Sequence, residues 1–350
     1  MRVLAAVVLA GCSFHTNAAS PASGDGAPDG RVTIDGQIDA PTDAALTTAD
    51  APPDGLAFPA DWWSTAWHSR MKLTITNNAA AAMDAGYQVG LQLDLDVSPC
   101  GGSRDAVRIV YGTTELTRVV DEVGGAEWTW FPLQAAVAAG ASTDAYWLYC
   151  GNSAPTTAPA DPSAVFDFFD DFNGTTLSAA WASQGTVTVA GGSVTIGNAS
   201  SGIHSIATWG ADTAIDFMAT ASAAAASNPY WWGGYQTTFT TTQPWHIWHA
   251  VSGANQIHPS EYDSNQLWNG TAVALDTAPH LYGVEHYGTS GAYRMADVMA
   301  QTRTYTAAIG ALNLRLHNYQ SGGSVSFDWA RVRKAVSPAP SVAVGSVETY

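Results

Sequence analysis

At 350 residues and a formal net charge of −17, with Lys72 and Lys334 its only lysines, the chain is too acidic to follow a nucleic-acid backbone, which needs clustered Lys and Arg. Of its three cysteines, Cys100 and Cys150 have no supporting histidine motif, which argues against a zinc site. The length leaves room for one or two domains once non-globular parts are set aside.

The first residues, Met1-Arg2 followed by "VLAAVVLA" and Gly11-Cys12, have the charge, short apolar run and small residues of an export signal. That run is too short to span a bilayer, which takes about 20 apolar residues. "LAGC" resembles the lipobox of bacterial lipoproteins, which implies acylation of Cys12 and a mature chain held on a membrane by its acyl chains. Ser13, where an inner-membrane retention signal would carry Asp, points to the outer membrane or cell surface. Residues 13–58 hold seven Asp against Arg31 in a background of Ala, Pro, Gly, Thr and Ser, a composition with too little apolar surface to order itself. They read as a disordered acidic tether.

From Trp62 onward the period changes to two. "MKLTITN" alternates Met71, Leu73 and Ile75 with Lys72, Thr74 and Thr76. "YQVGLQLDLD" sets Tyr87, Val89, Leu91 and Leu93 against Gln88, Gln92 and Asp94. Such alternation predicts antiparallel strands with one buried and one wet face. "AVRIVYG", "EWTWFPL" and "AYWLYCG" continue it, and the only helical rival, "LQAAVAAGAS", is cut short by Gly140. Cys100 and Cys150, in an exported chain, are expected to pair, with two separate buried thiols as the alternative. A Pro/Ala/Thr stretch at 154–163 marks a joint. Beyond it, "GTVTVAGGSVTIGN" predicts a hairpin turning at Gly191-Gly192, and "TAIDFMAT", "HLYGVEHYG", "LNLRLHN" and "SVSFDWARVRK" add strands. In the last of these the apolar parity switches after Trp329, which calls for a bulge or two covered faces. The fold class is all-β. A β-sandwich over 59–160 and a second over 161–340 are expected, with 341–350 as a C-terminal tail.

Three segments carry a family resemblance. "WWSTAWHSRMKLTITNN" resembles the opening, and "AYWLYCGNSAPTTAPADPSAVFDFFDDFNG" the close, of domain of unknown function 2341, a bacterial exported β-sandwich module. "SFDWARVRKAVSPAPSVAVGSVE" resembles the tail of the concanavalin A-like domain that often follows it. The resemblance implies an antiparallel jelly roll in the second half, with "FDFFDDFNG" lying near "SVSFDWARV". In that family a tyrosine usually stands at position 150, so a Cys100–Cys150 bridge would be a local addition. Related glucanases place a structural calcium ligand where Asp328 stands, with Asp171 or Asn173 as a helper; contacts with Arg331 or Arg333 are the alternative use of these acids. No cofactor is otherwise required.

Two groups of residues bear on function. "SEYDSNQLWNG" resembles the Glu-x-Asp-x-x-Glu signature of laminarinase-type glycoside hydrolases, which would make Glu261 the nucleophile and Asp263 its helper. The acid/base position holds Gln266, which neither releases nor takes up a proton at neutral pH. The only other glutamate of this domain before the tail is Glu285. Aromatic residues are denser here than elsewhere: five of fourteen tryptophans, Trp231, Trp232, Trp245, Trp248 and Trp268, lie within 231–268 with Tyr262 beside them. Flat rings interleaved with His, Asn, Gln and Asp suit the apolar face and the hydroxyls of a sugar, although rings of this size also fill sandwich cores. Trp245 and Trp248 have opposite parity, so a regular strand cannot turn both to one face. The expected role is non-catalytic binding of an extracellular or cell-surface polysaccharide. A glycan-active enzyme using Glu261, Asp263 or Glu285, and a structural or adhesion module that binds protein, are the alternatives.

Overall fold

Apolar side chains on every second residue are buried together only when the backbone is extended, and this period decides most of the secondary structure. The computed structural model describes residues 59–93, 100, 106–123, 126–197, 200–222, 230–237, 243–251, 255–263, 266–295, 299–305, 308–320 and 323–350. These belong to one compact unit. Cys12 and the segments expected to be an export signal and a tether lie outside the described residues.

In chain order the strands begin with β1 (Ser69–Thr76), β2 (Gln88–Leu93), β3 (Arg108–Tyr111), β4 (Thr114–Glu115), β5 (Val119–Val123), β6 (Ala126–Pro132) and β7 (Ser142–Cys150). One helical turn, α1 (Pro162–Val165), follows. Next come β8 (Phe168–Asp170), β9 (Trp181–Gln184), β10 (Val187–Ala190), β11 (Ser193–Ile196), β12 (Ser201–Trp209), β13 (Thr213–Ala221), β14 (Tyr230–Gln236), β15 (Trp245–Val251) and β16 (Gln256–Tyr262). The chain ends with β17 (Leu267–Asn269), β18 (Val273–Ala274), β19 (His280–His286), β20 (Ser290–Met295), β21 (Met299–Thr304), β22 (Leu312–Gln320), β23 (Val325–Lys334) and β24 (Ser341–Thr349). "LQAAVAAGAS" forms no helix; it is held by the isolated bridge between Val137 and Met83.

All pairings are antiparallel. The first sandwich stacks a sheet ordered β24-β1-β7-β3-β4 on one ordered β2-β6-β5, around Leu73, Ile75, Val89, Ile109, Phe131 and Leu148. Cys100 and Cys150 are joined by a disulfide at the edge of this core. Reduction, or Cys100→Ser with Cys150→Ser, is expected to lower stability by about 2–4 kcal/mol, since the bridge closes a 50-residue loop in the unfolded chain. Denaturant unfolding with and without reductant measures this; coincident transitions would show that the bridge contributes nothing.

The second sandwich, an antiparallel jelly roll, stacks β10-β11-β23-β13-β19-β20-β21, with β8 beside β23, on β17-β16-β15-β14-β22-β12-β9, with β18 beside β16. The expected neighbours meet: Phe168 pairs with Val332 and Asp170 with Ala330. The β10–β11 hairpin pairs Val187 with Ile196 and Val189 with Val194 around Gly191-Gly192. The parity switch in β23 is a bulge: Trp329 faces Met218 and Phe327 faces Ala219, so Asp328 is the extra residue. Between the layers, Phe217, Tyr282 and Phe327 meet Trp231, Trp248 and Leu316. Gly233 leaves room for the Phe217 ring of the other layer, since a Cβ there would sit 2.4 Å from it.

Two expectations are corrected. Residues 341–350 are not a tail: β24 pairs along β1 from Ser69↔Thr349 to Thr76↔Ser341, so the second sandwich is an excursion between two strands of the first. The alternation of "SVAVGSVE" was the available signal. Gln88, placed on a wet face, is 3 % exposed, because that face of β2 turns toward the second sandwich. Its Nε2 donates to Asp167 at 3.2 Å and its Oε1 accepts from the Lys334 backbone at 2.6 Å.

Candidate aromatic binding face

Strands β12, β14, β15, β16 and β22 each send one parity of side chains into the core and the other to the far side of the sheet. The inward set includes Ile203, Trp231, Tyr235, Trp248, Ile257, Leu314 and Leu316. The outward set follows from the register. His258 pairs with His249, His249 with Trp232, Trp232 with His317 and His317 with Gly202, giving one straight row across five strands. The next row on this face is Ser260, Ile247, Gly234 and Arg315, and the one after it runs Tyr262, Trp245, Gln236 and Asn313.

The rings form a continuous track. Tyr262 lies 4.9 Å from Trp245, Trp245 lies 5.5 Å from Trp232, and Trp232 stacks on Tyr319 at 5.5 Å with planes 10° apart. Tyr319 is well exposed and Trp245 and Tyr262 are half-buried, so the track rises to the surface at both ends. Along it stand three imidazoles. His249 packs 4.8 Å from His258 and 5.4 Å from Trp232, and His317 lies 6.4 Å from Trp232 on its other side.

These polar groups are out of water and still open. Among the described residues Trp245 Nε1, His249 Nε2, His258 Nε2 and both ring nitrogens of His317 are buried without a hydrogen-bond partner. Buried polar atoms normally have one; Trp231 Nε1 and His246 Nε2 on the core side of the same sheet are exceptions as well, and the outward ones are open to a ligand or to water. Burial, reinforced by His258, holds His249 down at about 3. Burial, reinforced by Arg315, holds His317 down at about 3. Burial also lowers His258. All three are therefore neutral at pH 7, each with one ring N–H donor and one acceptor nitrogen, the pair of functions a hydroxyl answers.

Of the six rings expected to bind ligand, Trp232, Trp245 and Tyr262 are on this track. Trp231 and Trp248 are not: they are 1 % and 0 % exposed in the core, and Trp248 Nε1 donates to Gly283 O of the opposite sheet at 3.1 Å. Trp268 also faces inward, 5.8 Å from Tyr293 with Arg303 over its ring. His317 and Tyr319, which complete the track, were readable from the alternation of Leu312, Leu314 and Leu316 with their polar neighbours.

The carboxylates do not share the face. Glu261 and Asp263 point the same way, as their spacing requires, but that way is inward, and each is 1 % exposed. Glu261 pairs with His246 across the strands and lies 4.0 Å from Arg303 Nε. Burial pushes its carboxyl up to about 8; Arg303 works against the rise and Asp263 adds to it. Gln266 is exposed and only its backbone N–H reaches Asp263. Glu285 lies on the outer face of the other sheet, bonded to Arg294, Arg333 at 3.0 Å and the Tyr287 hydroxyl. Burial works to raise it, yet Arg333 and Arg294 keep it below the usual range. Among the described residues the outward parity of the track sheet carries no carboxylate, so no nucleophile and acid pair faces a sugar there.

For calcium, Asp171 accepts from the Asn173 backbone and side chain, and burial on the bulge raises Asp328. Among the described residues no three His, Cys, Asp or Glu side chains converge on a metal position, so these two acids gather no third. Arg331 and Arg333 pair with Asp216, not with Asp328.

Residues 128–184 match the family described as Domain of unknown function (DUF2341), a span that crosses from the first sandwich into the second. No curated protein matches the chain. Among solved structures, it is similar to an endo-acting O-glycanase of the human gut microbiota that initiates mucin breakdown. That likeness has 14 % identity and a TM-score of 0.39, over 48 % of this chain and 99 % of the other. A β-glucanase of Bacillus licheniformis gives 14 % and 0.38, over 48 % and 97 %. An immunostimulatory antigen and pseudo β-1,3-glucanase of Mycobacterium tuberculosis gives 13 % and 0.36, over 49 % and 99 %. At this distance the sheets described above, not these neighbours, define the fold.

Proposed function

We propose that this chain is a lipid-anchored cell-surface protein that binds polysaccharide without cleaving it. The observation that carries the reading is the ring track from Tyr262 to Tyr319, with neutral, unpartnered imidazoles beside it. Aromatic walls with a few placed polar groups are the usual make-up of a small-ligand site. Indole and phenol faces cover the C–H face of a pyranose, while His249, His258 and His317 meet its hydroxyls. A carboxyl turned into the core favours binding over hydrolysis.

A glycan array probed with the full chain tests this. At least one polysaccharide or oligosaccharide class is expected to bind, and Trp232→Ala is expected to weaken that binding at least tenfold, the usual effect of removing a central tryptophan. Trp232→Phe, which keeps a ring, is expected to retain most of it. Silence across the array, or hydrolysis of a β-glucan panel that stops on Glu261→Ala, would replace this reading with the structural or the enzymatic one.

The anchor is proposed from "LAGC". Acylation with labelled palmitate is expected in cells making the native chain and not Cys12→Ser. Equal labelling of both would remove the anchor from the account.

A further inference from the structure

The geometry points to a second saccharide site, away from the ring track, in the cavity between the two sandwiches. A cleft of about 370 Å³ opens there between the outward face of β2 and β6, the outward face of β13, β19 and β23, and the segment from Ala335 to Pro340. Ligand pockets begin at about 300 Å³, so the space suits a mono- or disaccharide rather than a long chain.

Each wall is built for this. On β6, Trp128 and Trp130 share parity and lie side by side, 5.9 Å apart with planes 22° from parallel. Trp128 is half-buried, and Trp130 Nε1 is buried without a hydrogen-bond partner among the described residues. Trp130 lies across its β2 partner Gly90, where a Cβ would come 2.8 Å from the ring. The facing wall is also cleared by a glycine: Gly283 sits between Asp216 and Arg294, and a Cβ there would meet Asp216 Oδ1 at 3.1 Å.

The charges decide the ligand's class. Asp216 is held by Arg331 at 3.1 Å and Arg333 at 2.9 Å, Glu285 by Arg333 and Arg294, and Arg331 also reaches Asp121. The lining carries three guanidiniums and two carboxylates, and Asp121, bonded to Arg331 from outside the lining, supplies the third negative charge, so the ion-paired layer as a whole holds no excess charge. It does offer, on one wall, fixed donors and acceptors whose second lone pairs and outer N–H groups suit a neutral polyhydroxylated molecule. Trp130 is capped by Arg331 at 4.7 Å and by Arg333 at 5.4 Å, so the indole left for a ligand is Trp128, and a neutral sugar ring is the ligand that answers that ring and the charged wall together. Arg294, 44 % exposed, stands at the mouth.

Titration calorimetry of the full chain tests this, with glucose, galactose, N-acetylglucosamine, cellobiose, laminaribiose and lactose as probes. At least one is expected to bind Trp232→Ala as well as it binds the native chain. Binding of that probe is expected to fall at least tenfold in Trp128→Ala and severalfold in Arg294→Gln. Arg294 is exposed enough to be replaced without unfolding, so the second variant stands if the first fails to fold. No binding by any probe overturns the site. So does binding that survives both cavity variants, or that is lost only in Trp232→Ala; the last outcome would still support the ring track.

Discussion

Glu261→Gln should make this protein more stable, by about 4 kcal/mol at pH 8 and by almost nothing at pH 4. The carboxyl is 1 % exposed, and burial moves it from an ordinary 4.5 to about 8. Its folded value is raised, so the folded chain holds a proton that the unfolded chain gives up between pH 4.5 and 8. Stability therefore falls as pH rises through that window, by about 1.4 kcal/mol per unit, and stays low above it. Glutamine has the same shape and no proton to lose, and the variant should not show this decline. Asp263 favours the neutral carboxyl, while Arg303 favours the charged one, and His246 beside it is kept neutral chiefly by burial. Denaturant unfolding at pH 4, 6 and 8 gives the slope. A variant that is less stable than the native chain at pH 8 would mean an ionised Glu261 paired with Arg303.

The same titration separates binding from catalysis. A retaining glycosidase needs an ionised nucleophile with a second carboxyl about 5–5.5 Å away across an open groove. Glu261 at neutral pH is protonated, inward and roofed by the opposite sheet. Glu261→Gln is thus expected to leave glycan binding on the ring track unchanged while altering the stability profile. The sequence made Glu261 and Asp263 visible as a pair, because residues two apart on a strand share a face whatever that face is. It could not say which face, since Pro259 and Ser260 between them and Ile257 leave the alternation broken at the point that decides it.

Where alternation was unbroken, the sequence was a sufficient guide. "MKLTITN", the 186–196 hairpin and "LNLRLHN" became β1, β10–β11 and β22 because their apolar parity admits one register. Dense runs were harder. "YWWGGYQ" and "WHIWHAV" carry large rings on both parities, and only the register showed Trp232 and Trp245 outward and Trp231 and Trp248 inward. The pairing of β24 with β1 joins residues nearly the whole length of the folded region apart, and no local pattern reports a partner so distant. Nor could composition reveal that polar Gln88, Asp216, Arg331 and Arg333 are buried. They lie on sheet faces that read as wet and become dry only because one sandwich covers the other.

That covered layer yields the strongest destabilisation expected in the chain. Arg333→Met should cost about 3–5 kcal/mol, because it leaves two buried carboxylates short of a partner rather than removing a surface pair. The side chains of Arg333, Asp216 and Glu285 are only 7 %, 6 % and 8 % exposed, and Arg333 bonds both acids, at 2.9 and 3.0 Å. Burial alone would raise Asp216, but Arg333 and Arg331 together hold it far below the usual carboxylate range, and Glu285 is lowered in the same way. A depressed folded value stabilises above the unfolded value and is lost as pH falls through the folded one. The deficit of Arg333→Met should accordingly be full above about pH 5 and shrink on further acidification, as the carboxylates it strands become protonated. Adding Asp216→Asn removes one stranded charge, so the double variant should be less destabilised than the sum of the two single variants. A strictly additive pair, or a deficit unchanged from pH 7 to pH 3, would mean that Arg333 stabilises by packing its stem and not by its charge. Its guanidinium also lies 5.4 Å from the Trp130 ring, so the same substitution should disturb the inter-sandwich cavity and leave the ring track on the far sheet intact.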